Sequence, residues 1–176
     1  MLSRPDVTLV TQNVDRLHEQ ASERVSGDSA RARPVRLHGT LEQNRCTACE
    51  YVVQHPDPSD TLSQATLPRC PQCGSLLRPD VVWFGEMLPE AAVTRATEAA
   101  RRARVGLVVG TAGAVYPAAG FAMTVHGNGG GLVVVDPGDT AFDSIATVKL
   151  RGEAGRVLPE LLGVGGVEGQ VLSTDC

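Results

Sequence analysis

Four cysteines stand in two pairs of identical spacing, Cys46-x2-Cys49 and Cys70-x2-Cys73, with 20 residues between the pairs. Each Cys-x2-Cys turn offers two thiolates to one ion, and two such turns close a tetrahedron of sulfur around Zn²⁺. The competing reading, two disulfides, suits an oxidising compartment. The chain opens on no basic, apolar and small-residue series of the secretory kind, so it reads as cytosolic, where thiols stay reduced. Four sulfur ligands leave a metal no open position, so this ion would hold a small module together and take no part in a reaction. Cys176, the fifth cysteine, reads as an unpaired terminal thiol without a role.

Three further groups carry polar chemistry. Thr11-Gln12-Asn13-Val14-Asp15 ends a strand-like run and holds one of only three asparagines in the chain. Amide and carboxylate groups at the carboxyl end of a parallel strand suit a carboxamide or a sugar hydroxyl, although Asn and Asp there are more often turn formers and helix caps. His38, in Leu37-His38-Gly39, is either a proton-transfer group or, more commonly for a lone histidine, a satisfied side chain. Gly110-Thr111-Ala112-Gly113 follows the run VGLVV, where backbone N–H groups at a strand end approach phosphate, but it is not a GxGxxG loop.

Positioning these groups needs an α/β frame. Residues 7–11 read as a short buried strand, with a helical stretch from Asp15 and a surface loop over residues 22–34. Residues 81–84, VVWF, read as a strand, and a helix starts near Pro89 with Glu90 at its positive end and Arg101 and Arg102 at its negative end. Ala92, Val93, Ala96, Ala99 and Ala103 make a small-residue face for close packing on a sheet. Further strands fall at residues 105–109, 132–135 and 147–150. Residues 105–135 contain no Asp, Glu, Lys or Arg, yet Pro117, His126, Asn128 and the run of Gly129, Gly130 and Gly131 divide them into strand, loop, helix and strand rather than a bilayer-spanning helix. The tail, 163–176, is Gly-rich with little to bury and reads as disordered.

Composition agrees and excludes. Only 6 of 176 residues are aromatic, so a core of Val, Leu and Ala in parallel strands is favoured over an aromatic-filled sandwich. A formal charge of −4, with both signs interspersed, argues against nucleic acid or an acidic membrane surface as partner. The 15 arginines against the single Lys149 read as genomic base bias with no functional weight.

The order and wording of these pieces resemble the sirtuin family of NAD-dependent protein deacylases, over nearly the whole chain. TQNVD-x-LH is similar to that family's nicotinamide and ribose pocket, RLHG to the segment with its catalytic histidine, and the four cysteines to its structural zinc ribbon. RPDVVWFGE resembles its substrate-peptide clamp, GTAGAVYPAAG its dinucleotide segment, and GEAGRVLPEL the element beside adenine. VVWFGEMLPE and VYPAAGF are most similar to the branch with bacterial deacylases and the mitochondrial desuccinylase and demalonylase.

The resemblance implies a Rossmann-like parallel sheet with flanking helices (residues 1–43 and 77–162) and an inserted four-cysteine zinc module (44–76). It implies NAD and one structural Zn²⁺ as cofactors, and acyl-lysine proteins or peptides as partners. His38 would be the general base: the acyl carbonyl oxygen attacks the ribose carbon as nicotinamide leaves, and the histidine then takes a ribose hydroxyl proton. Gln12, Asn13 and Asp15 would contact nicotinamide and its ribose; Gly110, Thr111, Asp136, Gly152, Glu153 and Ala154 would line the dinucleotide site. Val81, Val82, Phe84, Gly85 and Glu86 would bind the substrate chain by strand addition. Cys46, Cys49, Cys70 and Cys73 would hold the metal. Two residues depart from the pattern, Ala112 for the usual Ser and Asp136 for the usual Asn. The family's first strand, its GAG-x-S loop and the following Arg would precede the strand at residues 7–11 and are not among these residues. These 176 residues alone are therefore expected to deacylate poorly, with acyl preference left open. A silent zinc-stabilised binding module and an ADP-ribosyltransferase are the alternatives.

Overall fold

A computed structural model describes residues 7–26, 33–54 and 67–163. Residues 27–32 of the expected surface loop, residues 55–66 between the two cysteine pairs, Cys176 and the tail beyond Gly163 lie outside the described residues. The chain divides into two compact units, Met1–Ala99 and Ala100–Cys176.

In the first unit, strand β1 (Val10–Thr11) leads through helix α1 (Leu17–Ser26) to strand β2 (Val35–Arg36), which pairs with β1 in parallel, Val10 opposite Val35. Val35 and Leu37 are almost wholly buried. They anchor the segment that delivers His38. Strand β3 (Gly39–Cys46) follows at once and carries the chain from His38 to the first cysteine. Strands β4 (Val52–Gln54) and β5 (Leu77–Val81) flank β3 in an antiparallel sheet of order β4-β3-β5, with a register shift between Thr40 and Asn44. Helix α2 (Glu90–Arg102) starts one residue after Pro89 and has its charges disposed as expected, with Ala96 of the small-residue face buried.

The second unit is built on strands β6 (Val105–Val109), β7 (Gly131–Val135) and β8 (Val148–Leu150), all parallel and in that order, with helix α3 (Ala118–Gly127) between β6 and β7 and helix α4 (Ala154–Leu161) after β8. Leu132, Val134 and Val135 are fully buried; Val125 packs with Leu132, and Ala119 and Phe142 pack with Val134. Burying such a side chain contributes about 1.5–3 kcal/mol. Gly106 makes room for this core, since a Cβ there would lie 2.8 Å from the Leu132 Cδ2 atom.

The architecture is thus the expected α/β one, with parallel sheets of Rossmann-like topology, and the four cysteines cluster within the first unit. Three local expectations are corrected. The first strand is only Val10–Thr11. Helix α1 continues to Ser26, so residues 22–26 are not loop, and Ser22 is buried on the helix. The strand expected at residues 81–84 ends at Val81, because the chain turns over residues 83–86 and the Glu86 N–H closes the turn on the Trp83 carbonyl at 2.9 Å.

Candidate functional site

His38 is placed by backbone on both sides. The Leu37 N–H donates to the Thr11 carbonyl (3.0 Å), extending the β1–β2 pairing, and the Val82 N–H donates to the His38 carbonyl (3.0 Å). The His38 ring then reaches back, with Nδ1 3.0 Å from the Gln12 carbonyl oxygen. A carbonyl only accepts, so Nδ1 carries the proton and a neutral ring leaves the Nε2 lone pair to take one. Gly39 makes the sharp exit possible: its φ is +78°, and a Cβ at this position would fall onto the Asp80 carbonyl oxygen.

The Gln12 loop is tied to the same segment. The Leu41 N–H donates to the Val14 carbonyl at 3.0 Å, and the Asn13 N–H to the Thr11 Oγ1 atom at 3.1 Å. Asp15 accepts the Leu17 N–H on Oδ1 at 3.0 Å, so one carboxylate oxygen caps helix α1. The first unit therefore brings together Gln12, Asn13, Asp15, His38 and Val82, residues up to 70 positions apart in the sequence.

Beyond Val82 the turn is braced from within. Arg78 donates through Nη1 to the Val81 carbonyl (2.8 Å) and through Nη2 to Glu86 Oε1 (2.8 Å), and its guanidinium lies 4.5 Å from the Trp83 ring centroid. The other Glu86 oxygen accepts the Trp83 N–H at 3.0 Å. That backbone hydrogen bond, and then the Arg78 guanidinium, hold the Glu86 carboxyl below the usual glutamate range despite some desolvation. Val81 and Glu86 are thus occupied in shaping the turn, whereas Phe84 is fully exposed on its tip beside exposed Gly85. An open cleft of about 360 Å³ lined by Arg45, Arg78, Glu86 and Met87 lies between this turn and the first cysteine knuckle, and His38 does not line it.

The cysteines form the second feature of this unit. Their four sulfur atoms all lie within 4.8 Å of one another, with Cys46 and Cys73 at 3.4 Å, Cys49 and Cys70 at 3.6 Å, and no disulfide among the four. A tetrahedral zinc with bonds of about 2.3 Å needs sulfur separations near these values. The Ala48 N–H aimed at the Cys46 sulfur (3.3 Å) favours a thiolate there. Hydrogen bonds from the Ser75 side chain and backbone, with Cys46 beside them, draw Cys73 down to about 6. At Cys49 a backbone hydrogen bond at Tyr51 favours the thiolate but is outweighed by desolvation and three neighbouring thiols, which push it up to about 12. Four thiols this close cannot all ionise unless a cation is shared, which is the condition zinc satisfies. The four cysteines are positioned to hold one zinc ion.

In the second unit the expected dinucleotide residues gather at the carboxyl ends of the parallel strands. The Gly110 N–H donates to the Val135 carbonyl (3.0 Å), the Asp136 N–H to the Leu150 carbonyl (3.3 Å) and the Gly152 N–H to the Asp136 carbonyl (3.4 Å). Gly110, Asp136 and Gly152 are thereby set side by side, the position at which open parallel sheets bind ligands. Thr111 Oγ1 accepts the Gly113 N–H (3.3 Å), and Asp136 Oδ1 accepts the Gly138 N–H (2.8 Å). Glu153 and Ala154 open helix α4. Gly113 is packed so tightly, with φ +72°, that a Cβ would enter the Phe142 ring.

Residues that the spacing did not single out complete both regions. Arg36 and Glu19 are a bidentate pair beside the Gln12 loop. Lys149 bonds Asp143 (2.6 Å) and the Gly138 carbonyl (2.8 Å), bracing the loop after Asp136; this ammonium and then Thr140 hold the Asp143 carboxyl below the usual range. Lys149 was visible as the only lysine, but no spacing paired it with Asp143.

Comparison with known proteins agrees with this geometry. A sequence model of the Sir2 family matches residues 3–117. The chain is 46% identical over 156 residues to the NAD-dependent protein deacylase of Pyrococcus furiosus, covering 88% of this chain and 59% of that protein. It superposes on a Sir2 homologue solved as its NAD complex with a TM-score of 0.77 at 41% identity, covering 89% of this chain and 57% of the other. A Sir2 protein bound to acetylated peptide gives a TM-score of 0.78 at 34% identity, covering 90% and 65% respectively. The chain spans less than two thirds of the length of the curated relatives it matches. With the histidine segment, the strand-end residues and the four-cysteine site all in place on the matching fold, the chain belongs to the Sir2 family.

Proposed function

We propose that this chain carries the catalytic histidine, the substrate turn and the strand-end residues of an NAD-dependent protein lysine deacylase, which releases nicotinamide and O-acyl-ADP-ribose. The observation that carries the reading is the His38 ring, bonded through Nδ1 to the Gln12 carbonyl. That bond selects the tautomer whose Nε2 is a base, and it sets the base beside the loop of Gln12, Asn13 and Asp15, which we assign to nicotinamide and its ribose. Gly110, Thr111, Asp136, Gly152, Glu153 and Ala154 are assigned to the rest of the dinucleotide. Val82, Phe84 and Gly85 are assigned to the acyl-lysine chain, with Val81 and Glu86 shaping the turn that presents them. Residues 44–76 serve as an inserted structural zinc module, and thiol ligands of this kind suit a reducing, cytosolic compartment.

The test incubates zinc-loaded protein with NAD and an acetyl-lysine peptide and separates the products. Two forms are compared: these 176 residues, and the same residues preceded by a segment carrying the GAG-x-S loop that the family resemblance implies. Free lysine and acyl-ADP-ribose from the longer form, with slow or no turnover from the shorter one, are expected, because backbone N–H groups of that loop neutralise pyrophosphate. ADP-ribose left on protein would point instead to transfer, and a longer form that stays inert while binding zinc would point to a silent binding module.

A further inference from the structure

We propose that Arg36 and Glu19 form a clasp that sets the backbone of residues 12–15 against His38, making Arg36 a positioning residue for the nicotinamide-facing side of the site; the last clause rests on the function proposed above. Three consecutive loop carbonyls are each held by a donor from residues 36–41: Gln12 by His38 Nδ1 (3.0 Å), Asn13 by Arg36 Nη1 (3.4 Å) and Val14 by the Leu41 N–H (3.0 Å). All three carbonyls of the loop are thereby tied to residues 36–41. Two of the three donors belong to residues already set by β2 and β3. The Arg36 side chain is long and is fixed only by what its far end grips. Glu19, in the first turn of α1, supplies that grip: Oε1 accepts from Nε (3.0 Å) and Nη2 (2.7 Å), and Oε2 from Nη2 (2.7 Å). Both side chains are only 17% exposed, so the pair is shielded from the screening that weakens surface ion pairs. Neighbouring Arg16 is committed elsewhere, to Glu23 and Glu42. The planar fork of arginine grips the carboxylate through two nitrogens while a third reaches the carbonyl, a bidentate geometry that the single ammonium of lysine does not reproduce.

Hydrogen exchange on the zinc-loaded 176-residue protein tests the clasp without requiring turnover. In Arg36→Ala and in Glu19→Gln, exchange over residues 12–17 should rise about ten-fold or more while amides of β3 and β5 keep their parent rates. Arg36→Lys should fall between parent and Arg36→Ala. If Arg36→Ala does not fold, the isosteric Glu19→Gln decides. Parent exchange rates over residues 12–17 in the folded variants overturn the clasp. Ligand-observed NMR with nicotinamide is run on the same samples: weaker binding in the variants is expected, and binding equal to the parent's with a loosened loop overturns the positioning role. A parent that binds no nicotinamide, with exchange responding as described, leaves the clasp established and removes the nicotinamide assignment instead.

Discussion

His38 and Gly39 show how one dipeptide meets two separate demands. The histidine must keep its ring against the Gln12 carbonyl, and the next residue must turn at φ +78° where the Asp80 carbonyl leaves no space for a Cβ. In whichever form of the protein is active, His38→Ala should lower turnover by ~10² or more, the usual scale for a lost general base, while circular dichroism and zinc content stay at parent values. Gly39→Ala acts through the backbone instead. It should destabilise the first unit by about 2 kcal/mol or more, measured by urea unfolding, since it adds a positive-φ penalty to a steric one. His38 stood out as a candidate base only when the neighbouring motifs were read together, and the turn demanded of Gly39 was not legible in the sequence. Nor were the arginines. A bias spread over the whole composition says nothing about Arg36 or Arg78, whose value comes from Glu19 and Glu86 lying at the right distance.

At the level of elements, β3 and β5 join the His38 segment to the cysteine knuckles, since β3 runs from Gly39 to Cys46 and β5 returns from the second knuckle to Val81. Purified protein should carry one zinc per chain by metal analysis. Stripping it with a strong chelator should raise exchange through β3, β4 and β5 while β6, β7 and β8 remain protected, because the thiolate bonds close one sheet and not the other. Cys70→Ser should bind zinc far more weakly, and a variant that retains metal as well as the parent would contradict the site. The turn after β5 has its own pH signature. The Glu86 pKa is depressed in the folded protein, so its contribution is fully present above the ordinary glutamate range, about 4.3, and is lost as pH falls below it through the folded value. Trp83, the only tryptophan, stacks on the same Arg78 and reports the loss. Its fluorescence should change as pH falls through that window, and Glu86→Gln should show the altered signal already at neutral pH. Both knuckles were evident from spacing. The early end of the strand at Val81 was not, because VVWF is as strand-like as any apolar run and only the Arg78, Glu86 and Trp83 contacts bend it.

Across the whole molecule, parallel strands appear as a pair in one unit and a triplet in the other, and the side of β6 away from β7 is unpaired among the described residues. Val105 at its start is well exposed. An open strand edge of this kind templates association, so the 176-residue protein should sediment as larger species as its concentration rises, and a monomer at every concentration would refute this. The α/β class, the metal ligands, helix α2 and the family were determined by sequence alone, because hydrophobic period, cysteine spacing and short motifs are local patterns that survive without coordinates. Tertiary structure alone decided which carbonyl selects the His38 tautomer, that Glu86 braces a turn, and that Arg36 and Lys149 each clasp a loop. Those outcomes depend on the separation of groups many residues apart, with Arg36 and Glu19 17 positions from each other and His38 and Gln12 26, and hydrogen bonds made across such gaps leave no period in the chain to be read.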